Sequence, residues 1–306
     1  MNQDATETYP LHLTNVPYPT PHPPTSLNNL DICLPRPPSP PFPTKGSKKI
    51  WIIYIHGGAW RDPLITSTSF LPTLSHLLKH DSPHLLNIAG FASLNYRLSP
   101  YPAHPTSPSS PTDPARNARH PDHIRDVLSA IRYLQAEYKF GSDYALVGHS
   151  CGATLAFQVA MRLWEEDGPV ELPKAICGVE GIYNVRKLVQ RHADVPIYAE
   201  IVQGAFGEEE SGWATASPSV WAGESSLDDT WEDAEAVVLA HSKADELVEE
   251  EQVLEMWNGL RHNTHHKGKR KDDMLYLEGK HDEIWEHGEE LVHVIQRALE
   301  LVLSDL

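Results

Sequence analysis

Six short apolar segments, separated by stretches with helical spacing of apolar residues, dominate the sequence. The first, WIIYI at 51–55, is a continuous apolar run of the kind found in strands buried on both faces. Strands that alternate with helices predict an α/β fold, with a mostly parallel sheet and helices on both faces. We therefore expect strands at 51–55, 88–96, 144–149, 175–183, 235–242 and 273–279, and helices from about residue 69 and over 123–138, 153–164, 248–260 and 284–303.

The remaining segments are biased in composition. Twelve of the 26 prolines fall in the first 43 residues, so 1–48 is expected to be a Pro-rich N-terminal segment of a single 1–306 domain. Within it, residues 35–44 should be extended and exposed. We favour the interpretation that this stretch connects early edge strands over the alternative that it is a ligand for SH3-type domains. The Pro- and Ser-rich stretch 100–121 predicts a loop insertion or a mobile flap. The segment between the fourth and fifth strands, which contains Gly and Trp, is expected to be irregular.

Charge and cysteine content exclude several classes of protein. Asp plus Glu number 42 against 25 Lys plus Arg, a formal net charge of −17 that would repel a nucleic-acid backbone. Three cysteines without paired spacing exclude a disulfide framework and a CxxC zinc site. The His- and Lys-rich run at 262–271 could bind a metal or an anion, but a solvated loop is favoured.

The location and the partners follow from the same composition. The N-terminus has neither a basic region nor an apolar region of a secretory signal, and no apolar run is long enough for a membrane span. We expect a cytoplasmic protein with a small-molecule ligand and without nucleic-acid or membrane partners. The oligomeric state is left open, with a homodimer as one option.

The motif GHSCG at 148–152 predicts a nucleophile. It has the G-x-S-x-G pattern and lies between a predicted strand and a predicted helix, which is the context that this motif requires. In that context the turn presents the hydroxyl of Ser150 above the sheet, at the start of the helix. An ordinary turn serine is the alternative, and the flanking strand and helix argue against it.

A second glycine motif, HGGAW at 56–60, follows the first apolar strand. Acyl transfer produces an oxyanion that needs backbone N–H donors fixed in advance. Gly58 and Ala59 can direct their N–H groups inward, and the N–H of Cys151, directly after the nucleophile, would complete the hole. The alternative is a plain glycine turn.

A serine nucleophile needs a base, and the base needs a carboxylate that orients it. In a fold of this kind the chain order is serine, acid, histidine, and each partner follows a strand. Asp245 follows the fifth predicted strand and His281 follows the sixth, so they are the candidate acid and base. Glu246 and Asp282 are the nearest rivals, but Asp245 has the usual offset from its strand.

Together these motifs resemble the α/β-hydrolase fold, its HGG-type esterase branch, and within it the fungal type of kynurenine formamidase (arylformamidase). The resemblance spans about residues 50–300, and HGGAW combined with GHSxGA is much more specific than G-x-S-x-G alone. The matching segments are YIHGGAWRDP (54–63), NYRLSP (95–100), HPDHIRDV (120–127), GHSCGATLAFQ (148–158), GIY (181–183) and GKHDEIW (279–285).

The resemblance implies an activity and a set of site residues. That family hydrolyses N-formyl-L-kynurenine to L-kynurenine and formate, without a metal or a cofactor. It implies that Ser150, Asp245 and His281 form a catalytic triad, and that residues 57–59, beginning with Gly57, supply the oxyanion hole. The Pro-rich N-terminus and the loop at 100–121 are departures that concern the mouth of the pocket.

Three further residues are candidates for substrate binding. Trp60 could offer an aromatic wall to the kynurenine ring, with core packing as the alternative. Asp62 or Glu180 could meet the substrate's ammonium group at the entrance, although either could instead cap a turn or pair with an arginine.

Two rival functions stay open. A general short-chain carboxylesterase of the same branch would share all of these motifs. A non-catalytic binding protein on this fold would typically lack a member of the triad, and here all three residues are present.

Overall fold

A computed structural model describes residues 8–37, 49–79, 84–224, 227–262 and 270–304. Within these ranges one sheet has the strand order β1-β2-β4-β3-β5-β6-β7-β8. The strands β3 to β8 run parallel to their neighbours, whereas β2 pairs antiparallel with both β1 and β4. The strands are β1 Leu11–Pro17, β2 Asn29–Leu34, β3 Ile50–Ile55, β4 Ile88–Leu94, β5 Tyr144–His149, β6 Ala175–Val179, β7 Ala236–Ser242 and β8 Lys271–Leu277.

The predicted sheet is confirmed. All six expected strands are present, with ends that differ by a few residues, and they form the parallel part of the sheet. Every residue of β3, β5, β6 and β7 is buried, which is why their sequences read as continuous apolar runs. The early edge strands were expected without bounds; they are the antiparallel strands β1 and β2, whose limits could not be predicted because both lie in the Pro-rich segment, where strand signals are weak.

Helices cover both faces of the sheet. In β3, Trp51 and Ile53 face one core, and Ile52 and Tyr54 face the other. The first core contains apolar residues of α2, α3 and α9, and the second contains those of α1 and α11. The helices are α1 Leu71–Leu77, α2 Asp122–Tyr138, α3 Cys151–Met161, α4 Val185–Arg191, α5 Pro196–Phe206, α6 Glu210–Thr215, α7 Pro218–Glu224, α8 Leu227–Thr230, α9 Glu250–His262, α10 Glu283–His287 and α11 Glu289–Leu303.

The segment between β6 and β7 corrects the expectation of irregular structure. It contains α4 to α8, of which the longest, α5, has 11 residues. Helices this short give a weak periodic signal, because only one or two apolar repeats fit within them. The side chain of Asn184 accepts a hydrogen bond from the N–H of Lys187 and caps the start of α4.

The expected single helix over 284–303 is two helices. Gly288 separates α10 from α11 and has a positive φ of 84°. A Cβ at this position would collide with the backbone of Thr73 in α1, so the close approach of the two segments requires glycine. Periodicity alone could not find this break because the apolar spacing continues across it.

The stretch at 100–121 is not structureless. It contains a short 3₁₀ helix, Pro114–Arg116, and returns to pack beside the chain that follows β4. Leu98 donates its N–H to the oxygen of Ala115 at 2.8 Å and accepts from the N–H of Ala118 at 2.9 Å. These bonds, with both alanines 2% exposed, tie the loop to the core.

Two expectations of the sequence lie largely outside the described residues. Only the first three residues of the extended stretch 35–44 are described, and most of the His- and Lys-rich run 262–271 is not. Within the described ranges, every helix is too short or too polar to cross a membrane.

Candidate active site

Ser150 occupies a strained turn between β5 and α3. Its φ of 54° and ψ of −124° are unfavourable for a residue with a side chain, and they turn the chain sharply from strand into helix. A Cβ at Gly148 would collide with the oxygen of Gly152, and a Cβ at Gly152 would collide with the oxygen of Ile55 in β3. The glycines of the motif therefore permit the turn, and Ser150 stands where β5 ends.

The HGGAW segment forms a second strained turn beside it. Gly58, Ala59 and Trp60 have consecutive positive φ values of 92°, 50° and 58°. The N–H groups of Arg61 and Asp62 both close onto the oxygen of Gly58 at 2.9 Å. This turn holds the backbone of residues 57–59 in one fixed shape.

Residues 57–59 and Ser150 lie together. A Cβ on Gly57 would come within 3.1 Å of the Cβ of Ser150, so the two turns are in contact. Among the described backbone bonds outside helices and strands, none is donated by Gly58, Ala59 or Cys151, and the N–H groups of Ala59 and Cys151 lie close to the thiol of Cys151. Backbone N–H groups beside a serine hydroxyl can stabilise an oxyanion formed on a carbonyl that the serine attacks.

Tyr96, which follows β4, supports this turn from behind. Its hydroxyl donates to the oxygen of His56 at 3.0 Å and lies 3.6 Å from the Sγ of Cys151. The Sγ in turn accepts the N–H of Trp60 at 3.2 Å, and the rings of Tyr96 and His56 stack at 4.4 Å. Sequence reasoning missed this role, although Tyr96 lies in the NYRLSP segment that carries part of the family resemblance.

Asp245 and His281 meet at the same edge of the sheet. The Nδ1 of His281 lies 2.8 Å from the Oδ2 of Asp245, and both side chains are nearly inaccessible. The Oδ1 of Asp245 accepts the N–H groups of Leu247 and Val248 at 2.8 and 2.9 Å. This pairing places the imidazole proton on Nδ1 and leaves Nε2 as the nitrogen for proton transfer.

Electrostatics favour an ionised Asp245. Burial by itself raises the pKa of this carboxyl group, but hydrogen bonds from His281 and from Glu180, with the backbone N–H of Val248, lower it overall. A carboxylate that stays ionised can orient an imidazole and stabilise the imidazolium that forms when it accepts a proton.

The rival side chains are directed elsewhere. Glu246 accepts the backbone N–H of His281 at 3.3 Å through Oε2, and Asp282 accepts the indole N–H of Trp285 at 3.0 Å. His149 packs its ring 4.7 Å from that of His281, with Nε2 3.1 Å from the oxygen of His281, and burial lowers its pKa. His149 is thus expected to be uncharged, and it packs against the loop that holds His281.

The structure corrects two of the three substrate-binding candidates. Glu180 is 0% exposed and lies beside Asp245, away from any entrance, so it cannot meet an ammonium group there. Trp60 is 1% exposed and packs edge-on against Phe206 at 4.9 Å, which is the core alternative and offers no accessible ring face. The side chain of Asp62 is 33% exposed and accepts the N–H of Leu64 at 2.9 Å.

A metal ion is not a good fit to the site. Among the described residues, Glu180, Asp245 and His281 bring possible ligand atoms within 4.8 Å of one another. Yet both oxygens of Asp245 already accept hydrogen bonds, and burial with the adjacent carboxylate raises the pKa of Glu180. A neutral carboxyl group is a poor ligand, so this cluster is better suited to holding a proton.

Comparison with known proteins identifies the family. A family model described as the alpha/beta hydrolase family matches residues 52–300. The chain belongs to the alpha/beta hydrolase family. The predicted fold class is thereby confirmed, together with the sheet described above.

Curated relatives of this hydrolase chain confirm the resemblance to the fungal kynurenine formamidases. It is 35% identical over 298 residues to the kynurenine formamidase-like hydrolase fscH of Fusarium equiseti, covering 96% of each chain. It is 36% identical to the kynurenine formamidase avaC of Aspergillus versicolor, over 89% of this chain and 94% of the relative. A solved structure of a truncated carbohydrate esterase from gut microbiota superposes with a TM-score of 0.62 and 20% identity, covering 96% of this chain and 98% of the other; it shows the fold alone.

Helix α5 lies beside the loop that holds the candidate acid Asp245, which the sequence did not reveal. The hydroxyl of Tyr198 in α5 donates to the backbone oxygen of Leu247 at 2.7 Å, two residues after the candidate acid Asp245. Around this contact Val195, Ile197 and Leu247 are each 41 or 42% exposed. Exposed apolar side chains near the candidate acid form a surface that suits an apolar or aromatic ligand.

Proposed function

We propose that this chain is a serine hydrolase that cleaves N-formyl-L-kynurenine to L-kynurenine and formate through a formyl-enzyme on Ser150. The choice of substrate rests on the nearly full-length similarity to relatives named kynurenine formamidase or kynurenine formamidase-like hydrolase. The chemistry is supported by the Asp245–His281 pair at 2.8 Å, at the same sheet edge as the strained Ser150 turn.

The reaction proceeds in two halves. His281 takes the hydroxyl proton as Ser150 attacks the formyl carbon, and the N–H groups of Gly58, Ala59 and Cys151 stabilise the oxyanion. The C–N bond then breaks, and His281 returns the proton to the departing arylamine nitrogen, which releases kynurenine.

Deformylation repeats the same steps with water. His281 removes a proton from a water molecule that attacks the formyl ester, and returns it to the Ser150 oxygen as formate leaves. A formyl carbonyl carries only hydrogen beyond the nitrogen, so the acyl side of the site can be small. Asp62, partly exposed beside the oxyanion turn, stays the candidate partner for the substrate's ammonium group.

Steady-state kinetics test the substrate. With purified protein, kcat/KM for N-formyl-L-kynurenine should exceed that for p-nitrophenyl acetate by a wide margin. A protein that prefers simple short-chain esters would instead be the carboxylesterase, and a protein inactive on both would be a binding protein.

Covalent trapping tests the mechanism independently of the substrate. An organophosphonate should inactivate the protein and remain attached to the peptide that contains Ser150, as mass spectrometry can show. Labelling of a different residue would contradict the formyl-enzyme. The cytoplasmic location and the homodimer stay predictions, which cell fractionation and size-exclusion chromatography can test.

A further inference from the structure

Glu180 is the fully buried carboxyl group for which the proposed mechanism gives no role. It follows β6 directly and holds a positive φ of 49°. Its own N–H donates to the oxygen of Ala240 at 3.0 Å, and its Oε1 accepts the N–H of Ser242 at 2.9 Å. Both bonds are made to the end of β7, so Glu180 is locked against the segment that leads to Asp245.

The second carboxyl oxygen of Glu180 has no donor. Among the described residues, no N–H or O–H group makes a hydrogen bond to Oε2. The Nδ1 of His241 lies 2.8 Å away but outside hydrogen-bond geometry. The carboxyl group of Asp245 is its other close neighbour: one oxygen of each carboxyl group and a ring nitrogen of His281 all lie within 4.8 Å of one another.

A hydrogen bond between two carboxyl groups requires a proton, because ionised carboxylates only accept. Two adjacent buried carboxylates also repel each other strongly, so one of them stays protonated. Asp245 accepts three hydrogen bonds from Leu247, Val248 and His281, whereas Glu180 accepts one backbone N–H. The extra donors favour the charge on Asp245 and the proton on Glu180.

We propose that Glu180 is a positioning residue that donates a shared proton to Asp245, so that two carboxyl groups behind His281 carry a single negative charge. The donated bond limits how strongly Asp245 attracts the imidazolium and fixes the carboxylate in the orientation that meets Nδ1. The role rests on the proposed serine hydrolase chemistry, since it acts through the candidate acid and base.

The groups around Glu180 agree with a neutral side chain. Burial, followed by the bond to Asp245 and its charge, raises the pKa of Glu180, and Glu246 adds to the increase. Besides these two acids, the described titratable groups that face it are His281, His241 of β7, whose pKa is lowered chiefly by burial, and the hydroxyl of Tyr183 after β6.

The pH dependence of kcat/KM tests this role with two substitutions of different kind. Glu180→Gln is neutral and keeps a donor, so it should retain activity and leave the acid limb of the profile within about 0.3 pH unit of wild type. Glu180→Leu removes the donor, so kcat should fall about tenfold with KM nearly unchanged, the rate equivalent of one hydrogen bond to a charged group. In Glu180→Leu the acid limb should also move upward, because Asp245 then stabilises the imidazolium more strongly.

Two results would overturn the proposal. A downward shift of the acid limb by about one pH unit or more in Glu180→Gln would mean that a buried negative charge had been removed. A wild-type kcat and profile in Glu180→Leu would mean that the bond to Asp245 does not matter. Both profiles are measured with p-nitrophenyl acetate as well as with N-formyl-L-kynurenine, so failure on the formamide alone rejects the substrate and leaves the Glu180 test intact.

Thermal unfolding provides a test that needs no activity. A group whose pKa is raised on folding loses its stabilising contribution as pH rises above the unfolded value, because the unfolded chain then ionises. The melting temperature of Glu180→Gln minus that of wild type should therefore increase between about pH 5 and pH 8. The matched control is Glu246→Gln, an exposed carboxamide substitution, for which the difference should stay flat; a flat difference for Glu180→Gln as well would reject a neutral Glu180.

Discussion

The two ends of the same parallel strands differ in how their carboxyl groups are paired. At the carboxyl ends of β6 and β7, Glu180 and Asp245 are buried together, and their pKa values are moved in opposite directions. At the amino ends, Lys174 pairs with Asp143 at 3.2 Å and with Glu235 at 3.0 Å; the side chain of Asp143 is 3% exposed, and those of the lysine and Glu235 are 20 and 38% exposed.

Backbone strain accompanies the buried carboxyl groups at the carboxyl ends. Ser150, Glu180 and the turn that contains Ala59 all have positive φ, and all lie at the carboxyl ends of strands. Such conformations cost about 1–3 kcal/mol each and persist only where the surrounding structure enforces them. Two adjacent buried carboxyl groups without a Lys or Arg partner among the described residues at one end, and a lysine paired with carboxylates at the other, indicate that the carboxyl edge is arranged for chemistry and the amino edge for stability.

The largest effect is expected at the nucleophile. Ser150→Ala should lower kcat by roughly the 10⁶ seen for the serine of subtilisin, because it removes the attacking oxygen without changing the packing. The melting temperature should stay close to wild type. A loss below about tenfold would remove Ser150 from its role and make the carboxyl edge no different from the amino edge.

The acid should come next. Asp245→Asn should lower kcat by about 10⁴, as in the serine-protease case, because an amide favours the wrong imidazole tautomer. Glu246→Gln removes one charge from the adjacent residue, which touches only the backbone N–H of His281, and should cost less than about tenfold.

This pair separates a positioned hydrogen bond from a general field effect. A field effect would lower kcat similarly in both variants, since both remove one negative charge at nearly the same place. A larger loss in Glu246→Gln than in Asp245→Asn, measured on the same substrate, would mean that the wrong acid has been assigned.

The support of the oxyanion turn should have an intermediate effect. Tyr96→Phe removes the hydroxyl that bonds the oxygen of His56, and kcat should fall about tenfold with little change in KM. Tyr18→Phe is the matched control, because it deletes a buried hydroxyl bonded to the oxygen of Asn95 at 2.7 Å. Both should lose about 1 kcal/mol of stability, but only Tyr96→Phe should slow the reaction; an equal kcat in the two variants would contradict the role of Tyr96.

The amino edge should affect stability but hardly activity. Lys174→Met removes both ion pairs at that end, and because it takes the cation away from Asp143, whose side chain is 3% exposed, the loss of stability should exceed about 1 kcal/mol. We expect kcat/KM within about twofold of wild type, since the lysine lies at the opposite end of the strands. A tenfold loss of activity would show that the two edges are coupled.

No effect is expected from chelators. The donor oxygens of Asp245 are already occupied, and Glu180 is a poor ligand, so EDTA should leave kcat/KM unchanged. Loss of activity in EDTA with recovery on addition of Zn²⁺ would show that the carboxyl edge holds a metal after all.

The fold and the candidate triad could be read from the sequence because their signals are local. Continuous apolar runs mark buried parallel strands, and GHSCG and HGGAW directly follow or end such strands. Asp245 and His281 could be selected because each follows a strand whose carboxyl end must lie at the same edge. The break at Gly288 could not be predicted because it depends on the close approach of α1. Helices α4 and α5 could not be predicted because they are too short to show a clear apolar period.

By itself, the sequence determined the order of strands and helices, the turn at Ser150 and the family, since each depends on residues that are neighbours in the chain. Only the tertiary structure decided which way side chains of similar type point. It buried Glu180 against Asp245 rather than at an entrance, and Trp60 against Phe206 rather than beside a substrate. The reason is that burial and pKa depend on contacts between distant segments, here the ends of β6 and β7 and the helices packed above them.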